Sequence, residues 1–201
     1  MVGTPNSIRI ERRRAAVRDE ILAAAWEVAR SRGLAQLTLR DVADRVGMQP
    51  PSLYTHFDSK HAIYDAMFAQ AWTQLLDLTV AQPAPDPSRP RQVLRADARL
   101  FFDFAVADLP RYQLMNQRTI PGFEPSPEAY AVSVRVMTLY REQLAAIGIT
   151  RDEDVDLVVA LVGGLADAQL ANDPGGERWS RLLDRAVDMY ADHLNLPTEE
   201  N

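Results

Sequence analysis

The chain has 201 residues and no cysteine, with 47% hydrophobic and 25% charged residues. This excludes disulfide scaffolds, thiolate metal sites and cysteine nucleophiles. No run approaches the roughly 18 apolar residues of a membrane span, and no apolar signal core follows the polar start, so a cytoplasmic, non-membrane protein is expected. The net charge of −6 divides unevenly: residues 1–60 carry ten Arg/Lys against seven Asp/Glu, residues 61–201 twelve against twenty-one. A basic end on an acidic body directs only that end toward phosphate. Lys60 is the only lysine in the chain.

Residues 1–7 show no periodicity and are expected to be unstructured. Ser7 to Ser31 reads as a long helix with Val17, Ile21, Ala24 and Val28 on one face. Arg9, Arg12, Arg13 and Arg14 precede that face, either as an arm for phosphates or the minor groove, or as the solvated end of a helix. Gly33 ends the helix. The segment Leu37 to Lys60, LTLRDVADRVGMQPPSLYTHFDSK, then reads as two short helices joined by a tight turn. Thr38 with Asp41 makes an acidic capping box, and Leu39, Val42, Ala43 and Val46 give one buried face. Gly47 suits a left-handed stop, and Pro50-Pro51 suits the first turn of a second helix running to Phe57. Two steeply angled helices with a glycine in the turn form a helix-turn-helix unit, which places its second helix in a DNA major groove.

The T-x-R-D-V-A opening, the V-G turn, S-L-Y followed by H-F, and the lysine at the next helix resemble the N-terminal domain of TetR-family transcriptional repressors. The resemblance covers about a quarter of the chain, from Arg18 to Phe68. It implies operator contacts at Arg40, Ser52, Tyr54, His56 and Lys60. The residues themselves suggest base-edge or phosphate contacts from Ser52 and Thr55, a bidentate adenine contact from Gln49, and phosphate contacts from Tyr54 and Lys60. Arg40 suits either role. Pro50 stands where a polar residue is common in the family, so its contact would be apolar. Packing in support of the turn is the competing role for Tyr54 and His56.

A fourth helix starts at Asp58-Ser59 and is apolar over much of its girth, as expected of a helix buried between two parts of the protein. PAPDPSRP (83–90) cannot be helical. Helices follow over Arg91 to Ala107 and Pro110 to Thr119, then from the Ser126-Pro127 cap to Ala146. A Thr150/Glu153 capping box is expected to open an eighth helix to Ala171, with Gly163-Gly164 inside it. Glu177 to Leu194 makes the ninth. The fold class is thus all-α, with about nine helices. A helix-turn-helix domain over 1–58 is followed by a helical ligand-binding and dimerisation domain over 59–201. The last two helices carry more apolar surface than one chain can cover, which suggests a homodimer through a four-helix bundle. Val158, Val162, Leu165, Trp179, Leu183, Val187 and Tyr190 are its expected interface, and the resemblance implies the same arrangement.

Trp72, Phe101, Phe104, Tyr112 and Met115, with Phe123, Tyr130, Met137 and Tyr140, suit a pocket for an apolar or amphipathic effector, or else a filled core. Arg99, Asp103 and Arg118 are available to orient a polar group. No cofactor or metal is expected. The three histidines are scattered, and Asp152, Glu153, Asp154 and Asp156 fit a helix macrodipole. No Gly-rich phosphate loop, HExxH or GxSxG motif marks an enzyme. The expected partners are an operator duplex, a second copy of the chain and a small molecule, in a ligand-released repressor. An activator remains open, as does a helical small-molecule-binding protein or enzyme with an incidental helix-turn-helix.

Overall fold

The computed structural model describes residues 5–198, with side chains from residue 8. The helices are α1 (Pro5–Arg32), α2 (Leu39–Val46), α3 (Pro50–Leu53), α4 (Lys60–Val80) and α5 (Pro90–Val106). They continue with α6 (Leu109–Asn116), α7 (Pro127–Ala146), α8 (Asp152–Asn172) and α9 (Leu183–His193), with short 3-10 turns at Leu34–Gln36 and Ser180–Leu182. The described residues contain nine α-helices and no strand, as the sequence pattern implied. Of the unstructured start expected for residues 1–7, residues 1–4 lie outside the described range, whereas residues 5–7 are already helical in α1.

The chain forms two compact units. The first runs through Ala71 and also takes in Pro110–Tyr130; the second holds Trp72–Leu109 and the chain from Ala131 onward. The division into these units falls within α4, while the motif sets its expected boundary at 58/59. Residues 110–130 join the first unit for a definable reason. The Asp65 carboxylate on α4 accepts from the Ser126 amide at 2.6 Å and from the Ser126 hydroxyl at 2.8 Å. Phe123 meets the Tyr64 ring edge-on at 5.6 Å and the His61 ring at 6.0 Å.

In the first unit α1 packs on α2 over a core that includes Ile21, Ala25, Leu37, Val42 and Leu53. The Tyr64 hydroxyl donates to the Leu34 carbonyl at 2.5 Å, and burial pushes its phenol up to about 12. Trp26 donates its indole N–H to Gln70 at 2.7 Å. Both polar tips are thereby satisfied inside an apolar core, as burial of aromatic residues demands.

In the second unit α5 packs on α8 and α9. Arg91, Arg95 and Arg99 of α5 pair with Asp192, Asp188 and Asp184 of α9 at 2.7, 2.6 and 3.0 Å. Arg99 is therefore engaged by Asp184 and by the Ser180 carbonyl.

Two expected helix starts are corrected. Ser126 caps α7, its hydroxyl accepting the Ala129 amide at 3.1 Å. Thr150, however, does not cap α8; the N-cap is Arg151, with no side-chain bond. The end of α7 decides this. The Ile149 amide reaches back to the Leu144 carbonyl at 2.9 Å and Ile149 is buried, which draws Thr150 into the connection. Asp152, Glu153 and Asp154 then occupy the first turn and suit the dipole. Likewise α9 begins at Leu183 and not at Glu177. The buried Gln169 side chain accepts from the Trp179 and Ser180 amides, and Asp173 accepts from the Arg178 amide at 2.8 Å. These bonds hold 173–180 as a loop. A Cβ on Gly176 would stand 2.2 Å from the Asp173 carboxylate, so a larger residue there would have to displace that side chain.

The expected dimer residues are mostly occupied inside the subunit. Val158, Val162, Leu183, Val187 and Tyr190 are buried, and Leu165 and Trp179 half-buried. The outward face of α8 instead presents Leu157, Ala160 and Gly164, and that of α9 presents Met189. Helical periodicity alone does not separate the two faces of α8, because both are apolar.

Candidate nucleic-acid interface

Local chemistry builds the interface. Thr38 sits in extended backbone; its hydroxyl accepts the Asp41 amide at 3.1 Å and donates to Asp41 Oδ2 at 2.6 Å. Arg32 donates to the other carboxylate oxygen at 2.6 Å. The Thr38 hydroxyl, with Arg32 beside it, holds the Asp41 carboxyl below the usual range. At the other end of α2, Gly47 has φ 71°, and the Met48 amide closes the turn on the Ala43 carbonyl at 2.9 Å. Both expected ends of α2 are present.

The recognition element is shorter than the sequence suggested. Only Pro50–Leu53 is helical, and residues 54–56 form a turn held by the Thr55 amide on Ser52 and the His56 and Phe57 amides on Leu53. Pro50 and Pro51 have no N–H, and the Ser52 amide already bonds to Gln49 at 2.8 Å. The amino end of α3 therefore offers no spare amide to phosphate, and recognition falls to side chains. Leu53 and Phe57 are buried and anchor the element.

Arg40, Gln49, Ser52, Tyr54 and Thr55 are exposed, whereas Pro50, His56 and Lys60 are half-buried. The Thr55 hydroxyl donates to the Ser52 carbonyl at 2.7 Å, so it has only lone pairs to present. His56 Nδ1 is buried without a hydrogen-bond partner. Ser59 caps α4 by accepting the Ala62 amide at 3.1 Å. Lys60 follows, its ammonium 5.6 Å from the centre of the Tyr64 ring. A cation in a helix's first turn opposes the macrodipole, so the ring face offsets part of that cost until an anion arrives.

Two arginines hold the carboxyl end of this element, a role the sequence did not suggest for either. Arg14 donates to the Thr55 carbonyl at 3.1 Å, and Arg18 donates to the His56 carbonyl. The Arg18 guanidinium also lies 4.0 Å from the centre of the Phe57 ring. Arg14 had been grouped with the arginine arm; its four-residue spacing from Arg18 was the available signal.

The nine candidate pocket residues divide between the units. Met115, Phe123 and Tyr130 line a first-unit cavity of about 380 Å³ together with Phe68 and Ile120, and Tyr112 is buried nearby in sequence. Trp72 and Phe104 are buried in the second unit, where Phe101, Met137 and Tyr140 are half-buried. Arg118 is exposed, 3.9 Å from Glu124. Among the described residues no group of three or more His, Asp or Glu could hold a metal ion. No described helix is long and apolar enough to cross a membrane.

The family model for bacterial regulatory proteins of the tetR family matches residues 21–67. The chain is 40% identical over 182 residues to the tetracycline repressor protein class A from transposon 1721 of Escherichia coli. That match covers 85% of this chain and 79% of the repressor. It is 37% identical over 121 residues to the transcriptional activator FasR of Mycolicibacterium smegmatis, spanning 60% of this chain and 53% of FasR. Among solved structures, the regulatory protein SCO4313 shares the fold with a TM-score of 0.73 at 22% identity, over 90% of this chain and 98% of that one. FadR from Bacillus subtilis, solved with stearoyl-CoA, shares it with a TM-score of 0.60 at 14% identity, over 85% and 96%. The chain belongs to the TetR family of transcriptional regulators.

Proposed function

We propose that this regulator is a homodimeric repressor that leaves its operator when a small apolar or amphipathic effector binds. The observation that carries the reading is the recognition element: exposed Gln49, Ser52, Tyr54 and Thr55 stand on a turn anchored by Leu53 and Phe57. In it Gln49, Ser52 and the Pro50 ring read base edges, Arg40 reads a base or a phosphate, and Tyr54, His56 and Lys60 set position on phosphates. Each subunit enters one half-site of a near-palindrome, with half-sites roughly 34 Å or more apart.

The dimer forms through the outward face of α8 and α9. Gly163 and Gly164 support this: an added Cβ at either would meet nothing within 4 Å in the subunit. Two interior glycines cost about 1 kcal/mol each relative to alanine, and among the described residues no atom fills the place of either Cβ. A second copy packing there does. The effector acts by shifting the dimer to a state whose recognition elements no longer match the operator spacing, with α4 as the transmitter. The complexes of Bacillus subtilis FadR with stearoyl-CoA and of an Acinetobacter baumannii TetR with minocycline support an effector of this chemistry. The activator name of FasR supports a second reading, in which the bound dimer recruits transcription.

The test is binding of the purified protein to the DNA flanking its own gene, against a scrambled duplex, across a salt series. Specific binding that weakens steeply with salt is expected. Equal, weak binding to both duplexes would overturn operator recognition there. Transcript levels after deletion then separate repressor from activator.

A further inference from the structure

We propose that a cavity bordering the recognition turn, wholly within the first unit, binds a short alkyl ammonium ion that strengthens operator binding through His56. This site is separate from that of the releasing effector. Its coupling to DNA rests on the phosphate role proposed above for His56; the site itself does not.

The cavity has a volume of about 410 Å³ and is lined from α1, the turn after α3, α4 and the start of α7. Small residues make the room: Ala62, Ala66 and Ala69 share one face of α4, and Ala129 lines the cavity from α7. His56 lines it too, and its Nδ1 is buried without a hydrogen-bond partner. A buried polar atom that the chain leaves unpaired is normally met by a bound group.

The charge of the lining selects that group. Arg18 is the one strong cation there, and it is committed to the His56 carbonyl and the Phe57 ring. Asp65 spends both carboxylate oxygens on Ser126. Asp58 and Glu128 remain, and no ion pair of the described residues engages either. One committed cation against three carboxylates favours a positively charged guest. Among the described residues no group of three or more His, Asp or Glu could hold a metal ion, which leaves an organic cation. A primary ammonium has three donors and no acceptor, so it serves the Nδ1 lone pair and a carboxylate together, with its alkyl chain against the alanines. An imidazole that accepts at Nδ1 carries its proton on Nε2, which then donates to a phosphate. Occupancy thus fixes the tautomer that operator binding uses and offsets acidic charge beside the recognition turn.

The probes are butylamine, butanol and butyrate at neutral pH and constant ionic strength, with binding to the full chain read by calorimetry without DNA. Butylamine is expected to bind in the millimolar range, about tenfold more tightly than the other two. Glu128→Gln should weaken it, and Ala66→Met, which fills the space without touching a charge, should abolish it. Both variants should keep the amine-free affinity for the operator. Saturating butylamine should tighten operator binding by about fivefold, and His56→Ala should remove that gain. Equal binding of butanol or butyrate would overturn the site, as would unchanged butylamine affinity in both cavity variants. No butylamine binding in the millimolar range would also overturn it and leave water as the partner of Nδ1. Amine binding that leaves operator affinity unchanged or lowers it would overturn the coupling to DNA.

Discussion

Arg18 and Lys60 are both cations of the first unit, yet they do different work, and salt tells them apart. On the proposed reading Lys60 takes a phosphate, so Lys60→Ala should weaken operator binding and flatten the salt dependence. The flattening should be by about 0.9 in log–log slope per subunit. Arg18 is occupied by the His56 carbonyl and the Phe57 ring, so Arg18→Gln should weaken binding with the slope unchanged. A flattened slope in that variant would make Arg18 a phosphate ligand instead. The expectation for Lys60 comes from motif spacing. The role of Arg18 was not legible, because it depends on a contact with a residue 38 positions away that no periodicity announces. Asp97 gives a prediction on stability. Its folded value of about 6 lies above the ordinary 3.8, so its contribution is fully present below pH 4 and lost as pH rises through 6. Asp97→Asn should therefore stabilise the protein at pH 8 by up to about 3 kcal/mol and leave it nearly unchanged at pH 3. Urea unfolding at the two pH values checks this, and equal effects at both would refute it.

At the scale of elements, capping chemistry was readable wherever it was local. Thr38, Gly47 and Ser126 act as their residue types suggest, because the bonds they make lie within a few positions. Thr38→Ala should cost about 1 kcal/mol through the lost cap, and Gly47→Ala about 1–2 kcal/mol through the left-handed backbone. Thermal unfolding of the two variants measures both; a Gly47→Ala protein as stable as the parent would contradict the φ of 71°. Thr150 and Glu177 misled because distant groups decide those starts. Ile149 is committed to the core, and Gln169 takes the amides that would otherwise begin α9. The recognition helix was overestimated for a related reason: after Leu53 the amides close a turn, and Arg14 and Arg18 take the Thr55 and His56 carbonyls.

For the whole molecule, the all-α architecture followed from helical patterning, whereas the proposed partner face rests on which residues the subunit leaves exposed. Val158 and Leu157 are adjacent and equally apolar, and only the packing of α8 on α5 and α9 tells which one is left outside. Leu157→Glu combined with Met189→Glu should give a folded monomer with weakened operator binding, read by sedimentation and DNA titration. A dimer that persists would remove that face from consideration. The arginine–aspartate ladder between α5 and α9 has its own implication. Arg91, Arg95 and Arg99 ascend by four residues as Asp192, Asp188 and Asp184 descend by four. A slide of α9 by that interval, about 6 Å, would still match two of the three pairs. The ladder clamps the helices without choosing their register. Register comes from contacts that do not repeat: the Tyr190 hydroxyl on the Asp154 carbonyl, and Arg91 on the carbonyls of Leu196 and Pro197. Those few bonds, and not the conspicuous charges, act as the detent that keeps this vernier at its single setting.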